Sequence, residues 1–262
     1  MGLDLLHITA INPLSGRSQP EDAVTNPGSR DSRALGRSLM RANRATTWTL
    51  NLPEGIRAVV FDLDGLLFDT ENLWAEEESQ MLVDYRVEYA ADDRLATVGQ
   101  TIDTSVAHYA RRIGLPTSAI PALRNELTQR VRAAMVQRLQ PLPGAIDLVR
   151  AIAKAGLPLG IASNNDMDIA LLALEVAGIA DAFNVVVSAE EVERAKPAPD
   201  VYLRACAALG VAPSEALALE DSSSGITAAR AAGMLVYAVP QIAETDVSAA
   251  DRVLTSLEDL LR

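Results

Sequence analysis

Apolar residues along this chain follow two spacings, and the spacings alternate. Ile56-Arg57-Ala58-Val59-Val60 is apolar at nearly successive positions, the pattern of a strand covered on both faces. From Gly144 onward, helix-like and strand-like stretches take turns: helix near 144–155, strand near 157–162, helix near 166–177, strand 184–188, helix 199–209, strand 216–220, helix 223–232 and strand 235–239. Such a series predicts an α/β fold, a doubly wound parallel sheet between helices. Ligands of these sheets bind beyond the carboxyl ends of the strands.

Between Thr70 and Pro141 only the helical spacing is found, over Glu71–Tyr85, Asp103–Ile113 and Ser118–Leu139. One crossover helix needs far fewer residues, so 70–142 reads as an inserted α-helical cap on a core made of 55–69 and 143–262. Leu66–Thr70 and Gln140–Gly144 would be its hinges, the second marked by two prolines. Residues 1–54 are rich in Ser, Asn, Pro, Gly and Arg and show no sustained period, which predicts an extension without a packed core. Within it, Arg37–Arg44 has the makings of a short helix, Thr46–Leu52 of a segment lying along the domain, and Met40 is an alternative start. Its Arg and Ser content has a trace of a transit peptide, against which stand interspersed acids.

A net charge of −12 offers no broad basic surface, so nucleic acid and anionic membranes are not expected partners. No stretch is long and apolar enough to span a bilayer, and the start lacks a signal peptide's basic and apolar regions. One cysteine, Cys206, allows no internal disulfide and sits in a helical pattern, which suggests core packing and a reducing, cytoplasmic setting. Neither His7 nor His108 has Cys or His at zinc spacing. Of the 23 basic residues only Lys154 and Lys196 are lysines, so the use of a compact ammonium at 196 stands out.

The buried run runs into Phe61-Asp62-Leu63-Asp64-Gly65, which places two carboxylates at a strand end. Asp-x-Asp-Gly is also a common turn; at the end of a buried strand it calls for a partner, most simply a metal ion. Ser163-Asn164 after the second strand is either a phosphate cradle or a helix cap. Glu220-Asp221 ends another strand and reads as a metal ligand pair or an acidic helix start.

These segments, Phe61–Thr70, Ile161–Asn165, Lys196–Tyr202 and Ala218–Ser222, occur in the order of the haloacid dehalogenase-like hydrolase superfamily, and over about 55–240 the chain closely resembles its helical-cap phosphatase and β-phosphoglucomutase-like branch. The resemblance implies a Rossmann-like core and an Mg²⁺-dependent phosphatase acting on a small phosphorylated metabolite, of sugar phosphate type, through an aspartyl-phosphate. It implies Asp62 as nucleophile and Asp64 as acid and base; Ser163, Asn164 and Lys196 as phosphate ligands; and Asp62, Asp64 and Asp221 as metal ligands, with Glu220 a further ligand or a residue behind them. Asp200 would cap its helix or hold Lys196, capping being the stronger expectation. Glu71, Trp74, Gly99 and Gln100 are the specificity candidates, although Trp74 equally suits the cap's own core and Gly99 a plain turn. Glu76-Glu77-Glu78 reads as a solvated helix face. The chain is taken to act as a monomer.

Dehalogenases of the superfamily generally lack the second aspartate, which is present here as Asp64. Mutases of the β-phosphoglucomutase type carry a cap histidine and an arginine after the cap's glycine loop, where this chain has Trp74 and Ile102 nearby. A phosphosugar mutase is therefore the second expectation. A non-catalytic phosphate-binding or interaction protein is the third.

Overall fold

The computed structural model describes residues 48–262. The expected helix at Arg37–Arg44, His7, Met40 and most of the leader lie outside the described residues. Residues 48–52, the end of the expected extension, run along the core: Leu50 bridges Leu261, and Thr49 exchanges backbone bonds of 2.6 and 2.9 Å with Arg262.

Six strands form one parallel sheet in the order β3-β2-β1-β4-β5-β6. They are β1 (Ala58–Phe61), β2 (Leu159–Ser163), β3 (Val185–Ser188), β4 (Ala216–Glu220), β5 (Leu235–Ala238) and β6 (Arg252–Val253). Burial explains the apolar runs residue by residue. Val59, Phe61, Leu217 and Leu219 pack into one apolar cluster, whereas Ala58, Val60, Ala216 and Ala218 pack into the other, so successive side chains leave opposite faces into protein. The first cluster is closed by α5 (Ala145–Lys154) and α6 (Met167–Ala177), the second by α7 (Asp200–Leu209) and α8 (Ser223–Ala231). The sheet is doubly wound.

Four helices separate β1 from β2: α1 (Thr70–Asp84), α2 (Ala91–Thr97), α3 (Ile102–Ile113) and α4 (Ile120–Arg138). Their apolar faces, with Met81, Leu82, Val106, Tyr109, Leu123 and Leu127 fully buried, join the cluster beneath the sheet. The two connections lie side by side: Phe68 bridges Pro141, and Asp69 N donates to Gln140 O at 2.9 Å.

Three elements differ from the sequence reading. α2 spans only seven residues, too few for a period to show, and is held from outside: Asp93 in its first turn accepts from Ala90 N at 2.8 Å and from Arg112 of α3. β6 is a two-residue exposed edge, invisible as an apolar run. α4 begins at Ile120 after a 3₁₀ turn over Thr117–Ala119.

Candidate active site

The chain leaves β1 through Asp62, whose N–H donates to Leu219 O at 2.9 Å and so extends the ladder one residue beyond the strand. Gly65 follows at a φ of 72°, and a Cβ there would stand 2.2 Å from Asp221 Oδ2. Only glycine permits that approach. The same applies on α8, where a Cβ on Gly225 would meet Glu220 Oε1 at 1.8 Å.

The Lys196 side chain reaches the carboxyl ends of β1 and β4. Its ammonium is hydrogen-bonded to Asp62 and stands 2.6 Å from Glu220 Oε1, which also accepts from Tyr202 OH at 2.5 Å. Glu220 Oε2 accepts from Asp221 N at 3.2 Å, Ser222 N at 3.3 Å and Ser222 Oγ at 3.1 Å. With both oxygens so engaged, Glu220 holds Lys196 and the loop after β4 from behind. Asp200 does neither of the things expected of it. Pro199 takes the cap position and Asp200 pairs with Arg194 at 3.0 Å.

Asp64 accepts from Asn165 Nδ2 at 2.7 Å and Ser163 Oγ at 3.4 Å. Ser163 is fully buried and does not line the cleft; its hydroxyl also takes Asn165 N at 3.0 Å. Ser163 and Asn164 are also not at a helix start, since α6 opens at Met167 after Asp166. Asn164 instead joins two loops with its side-chain amide: Nδ2 donates to Gly99 O at 3.0 Å and Lys196 O at 3.4 Å, and Oδ1 accepts from Lys196 N at 3.0 Å.

Three buried carboxyls, those of Asp62, Glu220 and Asp221, and the half-buried Asp64 thus gather near one ammonium, which bonds to Asp62 and Glu220. Burial pushes Asp62 and Asp221 well up, reinforced by neighbouring carboxylates, with Lys196 pulling the other way. Burial raises Asp64 as well, against Thr70, the Lys196 charge and the hydrogen bonds of Asn165 and Ser163. Burial alone would lower the Lys196 ammonium; Asp62 and Glu220 outweigh it and push the group up, so it stays charged. Carboxylate oxygens of Asp62, Glu220 and Asp221 lie within 4.8 Å of one another, and Asp221 Oδ1 is buried with no hydrogen-bond partner. An excess of buried negative charge and an orphaned oxygen fit a hard divalent cation.

A cleft of about 660 Å³ opens over these groups. Of the residues singled out in the sequence, Asp62, Asp64, Glu71, Trp74, Gly99, Gln100, Asn164, Lys196 and Asp221 line it, whereas Ser163 and Glu220 stand behind it. Trp74 does both things expected of it, lining the cleft and packing on the apolar cluster. Gly99 abuts the core: a Cβ on it would stand 3.2 Å from Ser224 Oγ. Glu78 corrects the reading of 76–78 as a solvated face. Glu76 and Glu77 do pair with Arg138 near the surface, but Glu78 is 4% exposed and lines the cleft with Tyr89 and Arg94. The signal was available, since Glu71, Trp74, Ala75 and Glu78 fall at i, i+3, i+4 and i+7 on one helical face.

A parallel sheet with acids and one lysine gathered at its carboxyl edge defines an α/β enzyme that works at its strand ends. Residues 59–239 match the family model described as haloacid dehalogenase-like hydrolase, and the chain belongs to that family, in its phosphatase and β-phosphoglucomutase-like branch. Hexitol phosphatase B of Escherichia coli (strain K12) is 36% identical over 197 residues, 73% of this chain and 86% of that protein. Hexitol phosphatase A of the same strain is 35% identical over 206 residues, 78% and 93% of the two chains. The crystal structure of CbbY from Rhodobacter sphaeroides in complex with phosphate superposes with a TM-score of 0.71 at 27% identity, covering 78% of this chain and 96% of that one.

Proposed function

We propose that the protein is an Mg²⁺-dependent phosphomonoesterase that hydrolyses a small phosphorylated metabolite, of sugar phosphate type, through an aspartyl-phosphate on Asp62, with residues 70–142 as the cap. The observation that carries this reading is the contrast between two aspartates two residues apart. Burial raises both, but Asp62 is hydrogen-bonded to the Lys196 ammonium, while the hydrogen bonds of Asp64 come from the neutral Asn165 and Ser163. One is suited to attack, the other to hold a proton. The phosphatase names of the relatives support the same class.

In the first step an Asp62 oxygen attacks phosphorus, the bond from phosphorus to the leaving alcohol oxygen breaks, and Asp64 gives that oxygen its proton. In the second, Asp64 takes a proton from water, the water oxygen attacks phosphorus, and the bond to Asp62 breaks to release inorganic phosphate. Lys196 offsets charge on the transferring group, and the Asn164 N–H is its remaining donor from the β2 loop. Magnesium, held by Asp62, Asp221 and the Asp64 carbonyl, supplies positive charge against the phosphoryl oxygens when bound. Ser163 acts through Asp64 and Glu220 through Lys196. Among the described residues no helix is long and apolar enough to cross a membrane.

The test is hydrolysis of p-nitrophenyl phosphate by the wild-type protein and by Asp62→Asn, with Mg²⁺ and with chelator. Turnover should require Mg²⁺ and vanish in the variant; turnover surviving Asp62→Asn removes the nucleophile assigned here.

A further inference from the structure

Outside the cleft, α4 is joined to the start of α6 by ion pairs to which the reaction above gives no task. Arg124 donates through Nη2 to both oxygens of Asp166, at 2.7 and 2.9 Å, and through Nε to Asp103, in the first turn of α3, at 2.7 Å. Further along α4, Arg132 is hydrogen-bonded to Asp168. Asp166 is 8% exposed, and neither it nor Arg124 lines the cleft, so the pair does not meet what enters there. An exposed ion pair such as Arg57 with Glu215 contributes little; a bond to both oxygens of a nearly buried carboxylate fixes geometry as well as charge.

Asp166 departs from what its place in the chain dictates. It is the residue before α6, where an aspartate ordinarily turns its carboxylate onto the N–H groups of the first turn. It makes no such bond. Its carboxylate faces α4 instead, and the Met167 N–H donates to Glu190 Oε2 at 2.8 Å, from the segment after β3.

What Asp166 secures is the residue beside it. Asn165 Nδ2 donates to Asp64 Oδ2 at 2.7 Å, a closer bond than the one Ser163 Oγ makes to the same oxygen at 3.4 Å. On the sheet side the Asn165 main chain is held twice: its N–H donates to Ser163 Oγ at 3.0 Å, and its carbonyl accepts from Ser188 Oγ at 2.7 Å. On the other side it is held by Asp166, and so by Arg124. A shift of about 1 Å at either anchor is enough to misdirect a group that must meet a reacting oxygen.

Resting on the phosphatase reading above, we propose that Arg124 is a positioning residue for the reaction: it holds Asp166, and with it the loop after β2, so that Asn165 keeps Asp64 aimed at the oxygen of the leaving group. Contact runs from Arg124 to Asp166, along one peptide bond to Asn165, and through the Asn165 amide to Asp64. Asp103 steadies Arg124 from the side of the helices, since Nε and Nη2 serve different carboxylates. The proton donor at the sheet edge thereby takes its direction in part from a helix inserted between β1 and β2.

The experiment compares kcat/KM for two esters of similar size: p-nitrophenyl phosphate, whose leaving oxygen departs readily without a proton, and p-methoxyphenyl phosphate, whose leaving oxygen needs one. In Asp166→Ser the ratio of p-methoxyphenyl to p-nitrophenyl phosphate should fall by about tenfold, because the loop is released from Arg124 and proton donation suffers most where it matters most. Serine is itself a good residue before a helix, so this variant should melt with the wild-type protein. Arg124→Met should lower the ratio by a similar factor, and the double variant by no more than either single one. Equal slowing of the two esters leaves the ratio unchanged, as a purely structural role would. A folded Asp166→Ser or Arg124→Met with the wild-type ratio overturns the assignment while the phosphatase reading stands, and so does a double variant in which the two losses multiply. If the wild-type protein hydrolyses neither ester, the phosphatase reading falls first. Asp166→Ser decides the matter even if Arg124→Met does not fold.

Discussion

The two walls of the cleft treat charge in opposite ways. On the core side each charged group is gripped by its neighbours: Lys196 by Asp62 and Glu220, Glu220 by Tyr202 and Ser222, Asp64 by Asn165. On the helical side Glu71, Glu78 and Arg94 stand without ionic partners among the described residues. The strand ends thus fix a geometry that a reaction can use repeatedly, whereas the helices present groups whose bonding is completed by what binds. Under the proposed function, chemistry would fall to one segment of the chain and selectivity to the other.

The largest effect expected from breaking the gripped side is that of Lys196→Met. It leaves Asp62 and Glu220 buried without their cation, which should cost about 3–5 kcal/mol of stability and lower turnover at least about a hundredfold. Thermal melting with and without Mg²⁺, alongside kinetics, checks it; a melting temperature equal to wild type would mean that the ammonium is not what holds these acids together. Asp64→Asn should lower kcat by about 10²–10⁴-fold while inorganic phosphate still binds, and a wild-type rate would remove the proton donor. Asn164→Ala cuts the tie between the two walls at Gly99, and kcat/KM should fall by about tenfold with faster proteolysis within residues 98–101. Unchanged proteolysis would show that the amide does not hold that loop.

A titration sharpens the contrast through pH. Glu78 has an ordinary value of 4.5, raised in the folded protein to about 7. Above 4.5 the unfolded chain gives up this proton while the folded one keeps it, so stability falls as pH rises toward 7 and the full cost persists above that. Glu78→Gln has no such titration. It should melt with wild type below pH 4.5 and several degrees higher at pH 8, the difference reaching on the order of 3 kcal/mol at most. Parallel curves for the two proteins across this range would place Glu78 in contact with water.

The core side was largely legible in the sequence because its residues sit at the ends of buried strands, where an apolar run stopping at Asp62 or Glu220 is itself the signal. Parallel pairing was legible from the alternation of strand and helix, and the sheet's two buried faces from runs such as Ala58–Phe61, whereas the strand order came only with the structure. The helical side was much less legible. Glu78 stands in a run of three glutamates that reads as surface, and its burial depends on Tyr89 and α2, which come later in the chain. Arg94 lies on that same seven-residue helix, too short to declare itself, and is brought to the cleft only by tertiary packing. Asn165, the last residue of the Ile161–Asn165 segment and given no role in the sequence reading, turns out to be the closest donor to Asp64, and no local spacing predicts which of two adjacent asparagines reaches inward.

The neck joining the two segments has a consequence of its own. Because the outgoing chain at Phe68 and the returning chain at Pro141 touch as neighbouring strands, about 5 Å apart at the backbone, the four-helix insertion enters and leaves the core at one place, and the Arg124–Asp166 pair and the Asn164–Gly99 bond fasten it a second time. A replacement segment thus needs more than ends that meet at that separation: it must also supply partners for Asp166 and Asn164, or the loop after β2 loses two of its restraints.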